Sequence, residues 1–213
     1  MKLTLLILAS FLVSGCSVIG QSDVKTAPYI LLKSDESQKI EVRNYGSMVL
    51  VSTTMSSESG YSAFRALFGY ITGDNEGATK ISMTAPVIMF ETKDVNKKTE
   101  KGAQISMTAP VFINDNAQQS SMSFVMPKDF TLATTPKPTN PDVRLSELKD
   151  YKVATIQFSG TLSDSNVEEY SRILINWISE NSYTSISDPV KAGYNGPTTL
   201  PMFRRNEILI EVK

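Results

Sequence analysis

Apolar positions in the first half of the chain predict strands followed by a helix. The stretch from Ile40 to Met55 has the pattern of strands, interrupted at 44–46, and it contains the continuous apolar run Met48–Val51. A helix is predicted from Ser57 to Ile71, and 73–77 form a turn that ends it. Its apolar residues recur at helical spacing and form one stripe that faces a core: Tyr61, Phe64, Leu67, Phe68 and Ile71.

A perfect heptapeptide repeat follows this helix. The sequence Ile-Ser-Met-Thr-Ala-Pro-Val occupies both Ile81–Val87 and Ile105–Val111. β-Branched and thioether side chains around a proline that cannot donate to a ladder are typical of strands. We therefore expect two strands that meet around the polar stretch Glu91–Gly102, with a further short strand over Met122–Met126. The repeat by itself indicates a structural element and not an active site.

The same order of elements recurs in the second half. Three prolines within Asp129–Asp142 predict an extended connector, and strands are expected over Val143–Phe158. A second helix starts with Ser163 or Ser165 as its cap, and Ser165 with Glu168 fits a capping box. Its buried face is predicted to contain five residues: Val167, Tyr170, Leu174, Trp177 and Ile178.

Closing strands over 183–194 and 207–213 complete the second half. A strand–helix–strand–strand unit used twice predicts an α+β domain over 28–213, with pseudo-symmetric halves at 28–128 and 142–213.

The first residues predict a bacterial lipoprotein signal. Lys2 precedes the apolar stretch Leu3–Val13, which is too short to cross a bilayer, and the small residues 14–15 precede Cys16. We expect residues 1–15 to be a signal peptide, Cys16 to be lipidated, and 16–27 to be a tether. The alternative is a plain secretory signal that leaves an unused thiol. Ser17, where an Asp would signal retention, indicates a lipid-anchored envelope protein on the periplasmic face of the outer membrane, if the host has one.

Composition disfavours several classes of function. The chain has 21 Lys and Arg against 22 Asp and Glu, so no basic excess attracts nucleic acid. It contains no histidine, which removes the usual general base and the commonest metal ligand. Its single cysteine is assigned to lipid. We therefore predict no enzyme, no catalytic residue and no metal site.

Several groups of residues have both a functional and a structural interpretation. The aromatic stripe of the first helix could receive a flat apolar ligand beside Gly69, or it could pack on a sheet. Asp74–Glu76 resembles part of a calcium loop, although a helix-ending turn explains it better. Arg204 and Arg205 could clamp a ligand carboxylate, or they could pair with Glu207 and neighbouring strand acids; we favour the structural role.

Several phrases together resemble the SOUL haem-binding protein family over residues 28–213. They include Glu-Val-Arg-x-Tyr at 41–45, the run 64–70 with Gly73-x-Asn-Glu, both Met-Thr-Ala-Pro-Val copies, Ser-Phe-Val-Met-Pro at 123–127 and Leu-Pro-Met-Phe-Arg-Arg-Asn-Glu at 200–207. The resemblance implies a twisted antiparallel β-barrel flanked by two long helices. It also implies a shallow apolar site for haem or another tetrapyrrole, formed by six residues: Tyr61, Phe64, Arg65, Phe68, Leu200 and Met202.

The sequence departs from the family pattern in two ways. The axial histidine of some members cannot occur, and Tyr61, Gly69 and Leu200 stand where other members have basic residues for the haem propionates, which leaves Arg65 as the nearby cation. Haem would then be held through its apolar faces, with Tyr61 or a methionine as a weak ligand. The first hypothesis is a lipid-anchored tetrapyrrole binder without catalysis. The alternatives are a structural lipoprotein that has lost the ligand, and an effector-binding module for another planar apolar molecule.

Overall fold

The computed structural model describes residues 24–55, 60–90, 120–196 and 198–213. The predicted signal peptide, the lipidation site Cys16, most of the predicted tether and the second heptapeptide (Ile105–Val111) lie outside the described residues. The chain forms two compact units. Unit 1 contains Leu31–Arg43 and Val153–Lys213 together with 24–26, and unit 2 contains Ala27–Ile30 and Asn44–Lys152.

Unit 2 is an antiparallel sheet with one helix, and its strands lie in the order β6-β7-β4-β8. Val51 of β4 is opposite Phe124 of β7 on one side and Leu145 of β8 on the other. Pro86 separates two short strands, because a proline has no N–H for a ladder. The elements are β4 (Met48–Thr54), α1 (Gly60–Thr72), β5 (Thr84–Ala85), β6 (Val87–Phe90), β7 (Ser121–Val125) and β8 (Val143–Leu148).

The core of unit 2 lies between α1 and one face of this sheet. Alternate strand residues point to the same face, so every second side chain of β4 and β7 meets the helix. Burial of each large apolar side chain contributes about 1.5–3 kcal/mol. The buried members include Val49, Val51, Ala63, Leu67, Tyr70, Ile71, Ile81, Met122, Phe124 and Met126.

Unit 1 is also an antiparallel sheet with one α-helix, and its strands lie in the order β2-β3-β9-β11-β10. Ile208 of β11 is opposite Ile156 of β9 and Lys191 of β10. The elements are β2 (Ile30–Asp35), β3 (Ile40–Asn44), β9 (Lys152–Phe158), α2 (Asp164–Glu180), β10 (Val190–Gly193), a short 3₁₀ helix (Pro201–Phe203) and β11 (Asn206–Glu211). The end residues Ile30, Asn44 and Lys152 of three of these strands fall in unit 2.

One face of the unit 1 sheet packs on α2 and forms the second core. The predicted inner face of α2 is confirmed at Leu174, Trp177 and Ile178, which are buried, while Val167 and Tyr170 are partly buried against the same cluster. The remaining buried members of the cluster are Ile40, Val42, Ala154, Ile156, Phe158, Ile208, Ile210 and Val212.

The predicted α+β class, with two helices and antiparallel strands, is confirmed, and the order β9-α2-β10-β11 is the predicted strand–helix–strand–strand unit. The structured region begins before residue 28, because β1 (Lys25–Thr26) and the buried Ala27 lie within the predicted tether. The domain boundaries at 28–128 and 142–213 stay predictions. Among the helices of the described residues, none has the length and apolar character that a bilayer-spanning helix needs.

Three local predictions were wrong. The capping box is absent, because Ser163 is the N-cap without a side-chain cap bond and Ser165 lies inside α2. The connector 129–142 is not extended, because it contains hydrogen-bonded turns such as Thr135 N–H to Thr131 O at 2.9 Å. Of the predicted closing strand 183–194, only Val190–Gly193 forms a strand, while Ser185 makes an isolated bridge to Val212.

Candidate functional site

The helix α1 of unit 2 presents an exposed aromatic face that contains four of the predicted site residues. Tyr61 is 69% exposed and Phe68 is 47% exposed. Phe64, which stands between them in the sequence, is half-buried. These residues are three or four positions apart, so their side chains lie on one side of the helix. Arg65 is exposed on the next position along. The face is therefore apolar, aromatic and open to a ligand.

The rings of this face are held in a defined arrangement. Phe64 and Phe68 are nearly parallel, with an interplanar angle of 13° and ring centroids 6.0 Å apart. Phe64 also meets the core ring of Phe124 edge-on, at a centroid distance of 5.4 Å. Such edge contacts are favourable because the positive rim of one ring meets the negative face of the other. Phe124 thus fixes Phe64, and Phe64 supports the exposed ring of Phe68.

A positive charge lies at one end of the aromatic face. The guanidinium carbon of Arg65 is 5.9 Å from the ring centroid of Tyr61. This separation permits a cation–π contact, which is weak at an exposed site. A guanidinium is the planar group that pairs with carboxylates bidentately. The α1 face therefore combines flat apolar surface with a positive charge.

The predicted apolar stripe of α1 does not face the core along its whole length. Leu67 and Ile71 are buried as predicted, but Tyr61 and Phe68 are exposed, and Ala63 and Tyr70 complete the buried face. Sequence analysis missed Tyr70, whose hydroxyl donates to the Pro136 carbonyl at 2.7 Å. Burial raises the pKa of Tyr70 to about 12, so this phenol stays neutral.

The turn after α1 removes one predicted feature of the site. Gly69 was expected to leave a gap for a ligand edge, but the Asp74 carboxylate occupies the position that a Cβ would take. Asn75 donates from Nδ2 to the carbonyls of Tyr70 (2.7 Å) and Thr79 (2.8 Å), which ends the helix. The segment 74–76 is thus the helix-ending turn. Within the described part of the chain, no group of three acidic, Cys or His residues is suited to a metal ion.

The other two predicted site residues lie in unit 1, next to the 3₁₀ helix. Leu200 is exposed and Met202 is 68% exposed. Phe203 is also exposed; it was not among the predicted site residues, although it belongs to the motif at 200–207. The backbone of this segment is fixed, because Pro201 accepts at its carbonyl from Gly160 N–H at 2.8 Å. Unit 1 thus exposes three apolar side chains from a held segment. The six-residue site as a whole stays a prediction.

A buried ion network lies beside this segment in unit 1. Glu207 is fully buried and accepts two hydrogen bonds from Arg43, at 2.8 and 3.1 Å, and one from the Tyr194 hydroxyl at 2.6 Å. Arg205 adds two more bonds, at 3.1 and 2.6 Å. Burial opposes ionisation, but the hydrogen bonds and charge of Arg43, with Arg205 and Tyr194, hold the pKa of Glu207 below its ordinary value.

The structural role predicted for the arginine pair is therefore correct for Arg205. Arg204 behaves differently, because its Nε donates to the Thr199 carbonyl at 2.8 Å. Arg43 is the partner that sequence analysis missed; it lies in the quoted phrase at 41–45 but 164 positions from Glu207. With Glu207 already bonded by three side chains, this network stabilises unit 1 and is not an open anion or cation site.

The donor set of the α1 face suits a porphyrin held by its faces and its propionates. Phe64 and Phe68 offer flat apolar contact, and Arg65 can bind a propionate. The sequence offers no imidazole, so iron ligation would fall to the Tyr61 hydroxyl or a thioether. These residues fit the ring better than they fit the metal. A separate shallow depression on α2 is polar and does not share this chemistry; its lining is Ser165, Glu168, Glu169 and Arg172.

Comparison with known proteins identifies a family for nearly the whole chain. The family model described as "SOUL heme-binding protein" matches residues 24–99 and 92–211. No match to a curated protein was found.

Solved structures share the fold at low sequence identity. The C-terminal domain of EcmrR has a TM-score of 0.54 at 13% identity, covering 82% of this chain and 96% of that one. A protein described as a hydrolase from Listeria innocua has a TM-score of 0.55 at 11% identity, covering 83% and 92%. An uncharacterized conserved protein from Listeria innocua has a TM-score of 0.56 at 10% identity, covering 83% and 93%. At these identities the matches concern the fold alone.

Proposed function

Since the chain belongs to the SOUL heme-binding protein family, we propose that it binds haem or another tetrapyrrole non-covalently on the aromatic face of α1, without catalysis. The observation that carries this proposal is the nearly parallel pair formed by the exposed ring of Phe68 and the half-buried ring of Phe64, with Arg65 beside it. Phenylalanine rings are most often buried, and exposed apolar patches commonly mark binding sites.

Each residue of the face has a distinct task in this proposal. Phe68 covers one face of the macrocycle, and Phe64 keeps Phe68 in place through its contact with Phe124. Arg65 binds a propionate, and Tyr61 orients Arg65. A bound haem would add its own redox and ligand chemistry, whereas binding itself would depend on the ring. The predicted contacts of Leu200 and Met202 with the ligand are a separate prediction, because both residues lie in unit 1.

Replacing Phe68 with alanine is expected to weaken porphyrin binding about tenfold. The substitution removes most of an exposed aromatic surface, and loss of about 1.5 kcal/mol of apolar contact corresponds to about one factor of ten. Titration of the purified chain in detergent with haemin and with metal-free protoporphyrin, followed in the Soret band, measures both dissociation constants. Because the ring carries the affinity, both ligands should bind with similar strength.

The matched control is Ile175→Ala, which truncates a similarly exposed apolar residue (44%) on α2. Equal effects of the two substitutions, or strong preference for haemin over the metal-free ring, would contradict the proposal. If neither ligand binds the unaltered chain, the structural lipoprotein alternative is favoured, and binding of only an unrelated aromatic compound favours an effector-binding module. The same titration with Leu200→Ala and Met202→Ala tests the two residues predicted in unit 1.

Replacing Arg65 with glutamine should weaken binding of protoporphyrin but not of its dimethyl ester. The ester has no carboxylate, so it loses nothing when the guanidinium is removed, whereas an exposed ion pair contributes at most about 1 kcal/mol, or about fivefold in affinity. Arg65→Lys keeps the charge and serves as the control. The proposed role fails if the acid and the ester are weakened alike, because the effect would then arise from altered packing of Tyr61.

We further propose that the protein is anchored in the cell envelope by a lipid on Cys16. The support is the sequence pattern Val-Ser-Gly-Cys after a short apolar segment. Two or more acyl chains are needed for durable anchoring, since one chain binds a membrane only marginally. Intact-mass analysis of the chain isolated from membranes tests this directly. The measured mass is expected to equal that of a chain that starts at Cys16 and has acyl chains attached.

A further inference from the structure

The edge strand β2, which belongs to unit 1 except for its first residue Ile30, exposes an apolar run that the proposed haem site does not use. The strand β2 (Ile30–Asp35) is at the end of the strand order, so one of its edges has no partner strand among the described residues. Its first three residues are all exposed: Ile30 (68%), Leu31 (51%) and Leu32 (49%). Natural edge strands are usually protected by charges or prolines, so three consecutive exposed aliphatic residues require an explanation.

The second half of the same strand is fastened to α2. The Lys33 ammonium donates to Asn181 Oδ1 at 2.6 Å and lies 5.3 Å from the Trp177 ring centroid. The Trp177 indole N–H donates to Asp35 Oδ2 at 2.9 Å. The strand is thus held at its C-terminal half, and Leu31 and Leu32 project from a fixed backbone. This is a built surface of unit 1 and not a fraying end.

We infer that Ile30, Leu31 and Leu32 contact the hydrocarbon boundary of the bilayer to which the lipid anchor attaches the protein. The inference rests on the proposed lipidation of Cys16. The described structure begins at Val24, eight residues after Cys16, and eight residues span at most about 28 Å in any conformation. Ile30 follows Val24 by six residues, so the tether keeps this strand within reach of the membrane surface.

The alternation of side chains favours a bilayer over a second copy of the chain. In a strand, Ile30 and Leu32 point to one face of the sheet and Leu31 to the other, and both faces are exposed here. A partner strand would pair with the edge in the plane of the sheet and would leave these side chains uncovered. Partial immersion in a membrane covers both faces at once. Because the chain has no basic excess, this contact should depend on apolar burial and not on anionic lipid.

A fluorescent label at position 32 tests the inference on the full lipidated chain. In Leu32→Cys, the introduced thiol is the only one left to react once Cys16 is acylated, and it is labelled with an environment-sensitive NBD group. The protein is reconstituted into phosphatidylcholine vesicles, with and without phospholipids brominated on their acyl chains. We expect the NBD emission of the reconstituted protein to be severalfold higher than that of the unfolded chain in water. The brominated lipids should quench this emission, and the extent of quenching should be the same at low and high salt. The matched control is Ile175→Cys on α2, which should be quenched by aqueous iodide instead.

Each alternative outcome contradicts the inference in a distinguishable way. If the label at position 32 is quenched by iodide as strongly as the control, the strand does not contact the membrane. If it is protected from both quenchers, and protection grows with protein density in the vesicle, a second copy covers the strand. Flotation of the same samples separates these results from a failure of the anchor: a protein that does not float with vesicles lacks the lipid, whereas one that floats with an exposed label refutes only the bilayer contact. Porphyrin titration of the labelled chain reports independently on the α1 face.

Discussion

Replacing Arg43 with alanine is expected to lower the free energy of unfolding by about 3–5 kcal/mol. Arg43 is buried and makes a two-pronged ion pair with the fully buried Glu207, while its Nε donates to Glu41 at 2.6 Å. Removal of the guanidinium leaves a carboxylate in a low-dielectric interior with one cation fewer. The loss therefore includes the cost of an incompletely compensated charge as well as the lost bonds.

Urea unfolding of the full chain in detergent, followed by the fluorescence of the single tryptophan, measures this change. Trp177 lies in the unit 1 core, so it reports on the unit that contains the network. The control is Arg172→Ala, because Arg172 is exposed on α2 and its loss should change stability by no more than about 0.5 kcal/mol. A loss for Arg43→Ala as small as that of the control would show that the ion pair is not a determinant of stability.

This network marks the limit of what residue patterns could predict. Arg205 is two positions before Glu207 and directly precedes β11, and in extended backbone alternate residues share a face, so their pairing could be predicted from spacing. Arg43 is 164 positions away and meets Glu207 only because β9 lies between β3 and β11. Strand order depends on long-range packing, and no local pattern in one sequence specifies it. The acidic residue could be flagged from sequence, but its main partner could not.

The helices were predictable because apolar residues recur in them at helical spacing. The site was less predictable because this spacing does not show which apolar side chains are exposed. Spacing places Tyr61, Phe64 and Phe68 on one side of α1; in the structure Tyr61 and Phe68 are exposed, and the rings of Phe64 and Phe68 are nearly parallel. Periodicity does not show where the sheet beneath a helix ends, so it could not separate the buried Leu67 from the exposed Phe68. Their opposite environments depend on the neighbouring strand β7, which contributes Phe124.

Local chemistry was predicted correctly where one residue decided it and incorrectly where two candidates competed. Asn75 ends α1 through its own side-chain bonds, and a turn was predicted there. Ser163 and Ser165 were both reasonable caps, and the chain turns into α2 at Ser163 through its backbone. The Asp74 carboxylate lies against the position of an added Cβ at Gly69, a contact that the spacing of the glycines did not predict.

Replacing Glu207 with glutamine is expected to cost about 3–5 kcal/mol at neutral pH, and the cost should disappear in acid. The amide keeps the shape of the side chain but removes the charge that compensates Arg43 and Arg205. Burial alone would raise the pKa of Glu207, but the hydrogen bonds and charge of Arg43, with Arg205 and Tyr194, lower it by more. The pKa in the folded state therefore lies below the ordinary value of 4.5. The carboxylate therefore stabilises the fold fully above pH 4.5, and this contribution is lost as pH falls through the lowered value. Unfolding free energies of both chains, measured across this pH range, should differ by a constant amount at higher pH and converge at lower pH.

Glu168→Gln, at an exposed position of α2, provides the control and should follow the unaltered chain throughout. A gap that persists undiminished into strong acid would show that the amide disturbs packing and hydrogen bonding, and that the charge of Glu207 is not what holds Arg43 and Arg205 together.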